Sequence, residues 1–383
     1  MLYLYSNFPS THRITIVTNK DSNAVETNNI KLSKVYSPGV AAFWSCLREI
    51  LAHQKPDILH LQIEYSFLGS WLNFLLLPVF IIILKVVCGG SKIVATLHGV
   101  PKYFSICYYL RKHSRLSAAS KLLAFTFAVP SYLSIFLTCL LCDAVIVHTE
   151  LMRSALASFI PSSMLSRVYV IPHGSYEPKH CAGKPASTKD FITVLTIGYQ
   201  RPSKGLETLL RAAEEISHLT SNVNFIIVGT PIRKPLERKK EMSSEELKAV
   251  EIVDSFLEDE SLDEVIERAD IIVLPYEDMF YEASGALHRV ALFGKALVCS
   301  DIPRFRSSLV NRVNALLFRP GDYMELAAHL LGLINDRSLK ERLSKKLVES
   351  FLPTRWKLVA KEHEHLFLTL LGRRQRAKTV SSL

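Results

Sequence analysis

Short β-branched runs alternate along this chain with stretches whose apolar residues fall at helical spacing. Residues 12–19 form the first convincing strand, and residues 41–53 the first helix, with Phe43, Leu47, Ile50 and Leu51 on one face. Pro56-Asp57 stops that helix. Strands are expected at 58–62, 92–97, 144–148 and 168–171, and a second series at 194–197, 224–228, 250–254, 271–274 and 296–299. A short amphipathic helix at 262–269 lies inside the second series, and the loop 231–245 is highly charged. Strands alternating with helices predict parallel sheets covered on both faces, with ligands at the carboxyl ends of the strands. The expected organisation is a first Rossmann-like domain at 1–174, a polar linker at 175–190 and a second Rossmann-like domain at 191–350. A closing helix at 351–371 would return to the first domain, and 372–383 would be a disordered tail.

Candidate chemistry gathers at those carboxyl ends. After the strand at 194–197, Gly198 begins a turn, and Lys204-Gly205 opens a helix with Leu206, Leu209, Leu210, Ala213 and Ile216 on one stripe. Strand, turn and helix N-terminus make an anion site, to which Lys204 adds a full charge. The plainer reading is a solvated lysine before an ordinary turn. After the strand at 271–274, Ser284 is an expected N-cap and Gly285 leaves the backbone bare for a ligand. Two such helix starts can grip the two phosphates of a diphosphate. In the first half His60, Glu64, His98, His148 and His173 fall at or near strand ends, and Gln62, Glu64 and Tyr65 form a polar group. One such histidine is commonly structural; several on one edge point to a polar cleft.

Two connections are strongly apolar. Residues 71–88 hold only Asn73 and Lys85 as strongly polar positions, and 122–142 carry no charge over a length that could cross a bilayer. Each joins strands of one expected sheet, so buried or surface-embedded helices fit better than spans. The basic segment Arg111-Lys112-His113-Ser114-Arg115 suits anionic headgroups. Composition agrees: 383 residues carry 46 Lys+Arg against 36 Asp+Glu, a net charge of +10, with 49% hydrophobic residues. That combination points to an anionic membrane surface more than to nucleic acid, and to peripheral attachment on the cytoplasmic face of the cell membrane. The seven cysteines are scattered; Cys139 and Cys142 have metal-like spacing without a second pair and read as core thiols.

An ordered set of motifs then narrows the reading. It comprises ILHLQIEY, VATLHG, DAVIVHTELM and VYVIPHG, then IGYQRPSKGLETLLRA, FIIVG, ERADIIVLPYED, SGALHRVALFGKALVCSDIP and NALLFRPGD. From about His12 to Phe367 the chain resembles family 4 retaining glycosyltransferases. The resemblance implies the α/β GT-B fold, two Rossmann-like parallel-sheet domains facing a cleft. It implies a nucleotide-diphosphate sugar as donor substrate, a lipid-linked or glycan acceptor, no further cofactor and no metal. Donor binding would fall to Gly198, Arg201, Lys204, Gly205, Glu277, Glu282, Ser284 and Gly285. His98 would be catalytic or sugar-contacting, with Gln62, Glu64 and His173 on the acceptor side. Attack from the leaving group's own face would need no protein nucleophile.

Departures stand beside the likeness. Tyr199 replaces the usual arginine after the glycine, and the expected glutamate pair falls on Tyr281 and Arg289. The opening reads as the end of a helix at Leu2–Phe8 running into a second strand, so one strand–helix unit is expected to be missing. A sugar-nucleotide epimerase, an inactive or truncated binding subunit and a membrane-surface scaffold stay open as alternatives.

Overall fold

The computed structural model describes residues 2–22, 26–27, 29–37, 41–52, 55–64, 71–100, 120–179, 191–199, 202–230, 249–277 and 281–372. The chain divides into two compact units. One comprises 1–174, 280–283 and 356–383, the other 175–279 and 284–355.

In the first unit β3 (Ile58–Ile63), β4 (Lys92–Leu97), β6 (Ala144–Val147) and β7 (Val168–Val170) make a parallel sheet in the order β3-β4-β6-β7. Alternation along the strands loads its two faces differently. Ile93, Ala95 and Leu97 point to a core closed by helices Ala41–Ala52, Trp71–Val87, Ser120–Leu141 and Glu150–Ala157. Val94, Ala144 and Ile146 point the other way, onto helices Leu2–Ser6 and Trp356–Leu370. A parallel pair, β1 (Ile14–Asn19) with β2 (Ile30–Tyr36), forms a separate sheet among the described residues. The two-residue strand β5 (Gly99–Val100) pairs antiparallel with β12 (Tyr281–Glu282).

The second unit is built on one continuous parallel sheet. β8 (Ile192–Ile197), β9 (Val223–Val228), β10 (Val250–Val253), β11 (Ile271–Leu274), β13 (Ala296–Ser300) and β14 (Leu316–Phe318) lie in the order β10-β9-β8-β11-β13-β14. These runs are apolar nearly throughout, because both faces are covered. Helices Leu206–Ser217 and Tyr323–Asn335 pack on one face; Asp259–Arg268, Gly285–Val290 and Arg337–Phe351 pack on the other.

Several expectations shift. β2 is absent from the sequence reading because Lys31 and Lys34 break up its apolar run, although Ile30 and Leu32 keep the two-residue period of a half-buried strand. The chain changes unit at Gly174/Ser175, and returns to the first at Trp356 after the short 3-10 turn Leu352–Thr354. The apolar connections are helices Trp71–Val87 and Ser120–Leu141, and they pack on each other. Ser134 Oγ donates to the Phe74 carbonyl at 2.6 Å between them. No helix among the described residues is long and apolar enough to cross a membrane. Cys139 and Cys142 are free, buried thiols, and burial pushes Cys139 up to about 12. The basic segment 111–115, the loop 231–245, most of the linker and the tail beyond Gly372 lie outside the described residues.

Candidate functional site

The second unit carries one chemical group at the carboxyl end of β8. Gly198 leaves the strand at φ 120°, and Pro202–Lys204 turn as a single 3-10 turn. Gly205 then caps the helix Leu206–Ser217 in the left-handed region, at φ 66°. The helix therefore begins two residues later than expected, at Leu206 rather than at Lys204. Only glycine fits at 205, since a Cβ there would lie 1.7 Å from the Pro275 carbonyl oxygen. The close approach ties the two loops together, and the Glu277 N–H donates to the Ser203 carbonyl at 2.9 Å.

Lys204 Nζ lies 3.5 Å from the centroid of the Tyr276 ring, and Arg304 stands 5.4 Å from the same ring. Tyr276 is buried, yet its hydroxyl has no hydrogen-bond partner among the described residues. That hydroxyl faces the Gly198 turn, 3.6 Å from where a Cβ would stand. Gly198, Tyr199, Lys204 and Tyr276 line one shallow recess. A buried hydroxyl without a partner costs about 1–3 kcal/mol, so a polar guest in the recess is favoured. Lys204 and a helix N-terminus beside it make the recess electrostatically favourable to an anion.

Other predicted donor residues stand differently. Glu277 is buried and accepts from Thr208 Oγ1 at 2.7 Å, a bond that braces the turn. Glu282 belongs to the first unit, where its backbone pairs with Gly99. Ser284 caps its helix as expected, its Oγ accepting from the Leu287 N–H at 3.2 Å. The helix it starts, Gly285–Val290, has only six residues and supplies a weak dipole. A Cβ at Gly285 would meet nothing within 4 Å. Arg201 lies outside the described residues.

Arg289, at one of the two unexpected positions, is buried and paired with Asp263. It also donates to the Asp259 carbonyl at 2.8 Å and lies 4.8 Å from the Tyr176 ring. Its Nη2 is engaged within the unit, and its Nε is buried without a hydrogen-bond partner among the described residues. Tyr281, the other position, is in β12 opposite Val100.

In the first unit the sheet register assembles a histidine cluster. His60 and Gln62 share one face of β3 because they are two residues apart. Gln62 lies opposite Thr96 on β4, and His98 follows on the same face. His148 and His173 leave β6 and β7 at the same edge, while His363 comes from the helix Trp356–Leu370. Tyr5 OH and His60 Nδ1 are 2.6 Å apart, and His60 Nε2 and Thr96 Oγ1 are 2.7 Å apart. Gln62 bridges His60 at 3.1 Å and His98 at 2.6 Å. His98 Nδ1 meets His148 Nε2 at 3.2 Å, and His148 Nδ1 donates to the Ile171 carbonyl at 3.0 Å. The His173 ring lies 5.5 Å from that of His148 and 5.3 Å from Trp356.

Burial, reinforced by the neighbouring imidazoles, holds His60 and His98 well below the ordinary histidine value. Burial alone pushes His148 down to about 4, and burial with His148 nearby takes His173 to about 3. Glu64 follows β3 directly, half-buried, one residue beyond the strand. Among the described residues no group of three or more His, Cys, Asp or Glu is placed to hold a metal ion.

Sequence reasoning passed over Tyr276, Thr208, Tyr5 and His363. Tyr276 had a local signal, since it leaves β11 at the ligand edge within Pro275-Tyr276-Glu277. Thr208 is four residues past Lys204, on the turn's own helix. Tyr5 and His363 had none, because only tertiary packing brings them to His60.

Residues 182–348 match the family model described as glycosyl transferases group 1. The chain is similar in fold to a sucrose-phosphate synthase from Thermosynechococcus elongatus, at 17% identity and TM-score 0.67, covering 94% of this chain and 89% of that one. Anabaena HepE, solved with UDP-glucose, is similar at 13% identity and TM-score 0.62, covering 89% and 87%. A glycosyltransferase from Rickettsia africae is similar at 13% identity and TM-score 0.59, covering 91% and 86%. No curated protein matches by sequence.

Proposed function

We propose that the chain, a glycosyltransferase of GT-B fold, moves a sugar from a nucleoside-diphosphate sugar to a lipid-linked or glycan acceptor with retention of configuration. The observation that carries this is the recess at the end of β8, where Lys204, the Gly205-capped helix and the unpartnered Tyr276 hydroxyl converge. An anion there is what a diphosphate supplies, and HepE, similar in fold, was solved with UDP-glucose. In the reaction the bond from the sugar's anomeric carbon to the diphosphate breaks, and a new one forms to an acceptor hydroxyl. The hydroxyl proton passes to the departing diphosphate. Lys204 stabilises the charge that grows on that leaving group, in a preorganised position. His98 takes the sugar-contacting role, and Gln62, Glu64 and His173 the acceptor side, as the resemblance implies.

The acceptor is reached at an anionic membrane surface. Leu72, Val79, Ile82 and Val86 on helix Trp71–Val87, and Val129, Leu133 and Leu140 on helix Ser120–Leu141, are exposed large apolar side chains. Their spacing puts each set along one side of its helix, which suits shallow insertion among lipid headgroups.

An inactive binding subunit is the second reading, favoured by the internal engagement of Arg289. Turnover separates the two. Incubation with a panel of nucleotide sugars and lipid or glycan acceptors is expected to release nucleoside diphosphate and give a product whose anomeric configuration, read by proton NMR, matches the donor. Lys204→Ala is expected to lower kcat at least about a hundredfold, the loss of one preorganised charge contact. Equal turnover in the variant would return Lys204 to the surface, and no turnover with any donor would favour the binding subunit.

A further inference from the structure

The contacts of His98 constrain where its protons sit. His148 Nδ1 donates to the Ile171 carbonyl, so neutral His148 presents a lone pair at Nε2, and His98 Nδ1 opposite it must be N–H. Gln62 Oε1 is 2.6 Å from His98 Nε2, and a carbonyl oxygen only accepts, so that nitrogen must be N–H as well. With this amide orientation His98 is an imidazolium. Gln62 Nε2 then donates to His60 Nε2, which leaves the His60 proton on Nδ1, directed at the Tyr5 hydroxyl.

Removing the His98 proton leaves a lone pair on Nε2 facing a carbonyl oxygen. The conflict disappears if the amide turns over, so that Gln62 Nε2 donates to His98. Its oxygen then faces His60 Nε2, which must become N–H, and the Tyr5 hydroxyl must donate to His60 Nδ1. One proton on His98 is thereby tied to one amide orientation and one tautomer of His60.

We infer that Gln62 is a positioning residue that couples the protonation of His98 to the tautomer of His60 by turning its side-chain amide. The inference rests on the glycosyltransferase reading only for its consequence in turnover; the coupling itself belongs to the ligand-free chain. While the amide is engaged, both ring nitrogens of His98 are occupied, one by Gln62 and one by His148. A sugar hydroxyl can reach His98 Nε2 only when Gln62 lets go, so Gln62 sets when His98 is available and in which form. Among the described residues the titratable groups that face the pair are Tyr5, His60, His148, His173 and His363. Burial and the neighbouring imidazoles favour the uncharged form at neutral pH.

The test is the ring nitrogen resonances of His98 and His60 in the full chain labelled with 15N-histidine, without ligand, at pH 7. In the wild type, His98 is expected as the Nδ1–H tautomer and His60 as Nε2–H. Gln62→Glu offers only acceptor oxygens and has no amide to turn, so His98 is expected doubly protonated while His60 stays Nε2–H. Gln62→Leu removes the bridge, and His60 is expected to populate both tautomers, its Tyr5 and Thr96 hydroxyl partners being free to reverse. Wild-type tautomers that differ from these would overturn the inference, as would a His60 spectrum unchanged in Gln62→Leu. Where one variant fails to fold, the wild-type assignment and the other variant decide. If the coupling appears but no nucleotide sugar is turned over, the enzymatic reading fails and the coupling stands.

Discussion

The second unit lays six parallel strands in one sheet, and β8, the first in sequence, takes the third place in the order β10-β9-β8-β11-β13-β14. The first unit divides its parallel strands between β1–β2 and β3-β4-β6-β7 among the described residues, so β1 and β3 are both edge strands. Polar chemistry is distributed in the opposite sense. The continuous sheet carries a compact cationic recess at the end of its inner strand β8, whereas the divided one buries a histidine network, its pKa values lowered by burial, beside its edge strand β3. An inner strand followed by a glycine-capped helix fixes Lys204 beside a helix N-terminus. An edge strand leaves room for His60 and Gln62 to be covered by helices from both ends of the unit, Leu2–Ser6 and Trp356–Leu370. The second unit is thus suited to holding charge, and the first to excluding it.

Acid is expected to separate the units most strongly. The buried histidines of the first unit have pKa values below that of an unfolded histidine, so the unfolded chain binds more protons as pH falls through about 6.5. Stability is therefore complete above that pH and is lost on acidification, down to about 4 for His148 and His363 and about 3 for His173. Each such group contributes about 1.4 kcal/mol per pH unit in that window, so the first unit loses on the order of 5 kcal/mol between pH 7 and pH 5. The chain supplies its own probe, because Trp44, Trp71 and Trp356 all belong to the first unit. Urea unfolding followed by tryptophan fluorescence should shift to much lower midpoints at pH 5. A midpoint independent of pH would mean that the histidines are charged or exposed.

The reverse perturbation is Arg289→Met, which strands Asp263 without its partner in the second unit. Breaking one side of a buried pair costs about 3–5 kcal/mol. Far-UV circular dichroism should show an earlier unfolding step that tryptophan fluorescence misses. Restoring an acid with Arg289→Glu is expected to destabilise further, by placing like charges together, and not to improve turnover.

Much of this contrast was legible in the sequence. β-branched runs are short and end at glycine, proline or histidine, so β4 and β11 could be placed to the residue, and Lys204-Gly205 stood out at a strand's end. Ser284 was legible as a cap from its place before an apolar helix. Edge strand β2 was not, because two exposed lysines hide its period. The surroundings of Glu277 and Glu282 were not legible, because sequence spacing says nothing of where a carboxylate is satisfied. Thr208 engages one, and the pairing of β12 with β5 takes the other out of the second unit. Arg289 stood where the resemblance expected a glutamate, and its partner, Asp263, lies on a different helix.

The smallest expected effect concerns the apolar helix faces of the first unit. Val86 is 78% exposed and Leu133 is 55% exposed. Val86→Glu with Leu133→Glu should weaken flotation with anionic liposomes by about tenfold or more, through lost apolar burial and added repulsion. Wild-type binding should fall as salt rises. Unchanged flotation in the double variant would remove these faces from the membrane contact.

The central claim, that the recess beside β8 holds the diphosphate of a sugar donor, is tested most directly by calorimetric titration of the intact chain with nucleoside diphosphates and their sugars. The wild type should show saturable binding at one site. Lys204→Ala should bind at least about tenfold more weakly, as expected for losing a charge-assisted contact worth about 1.5–3 kcal/mol. Equal affinity in the variant, or no binding with any base or sugar in the panel, would contradict the claim.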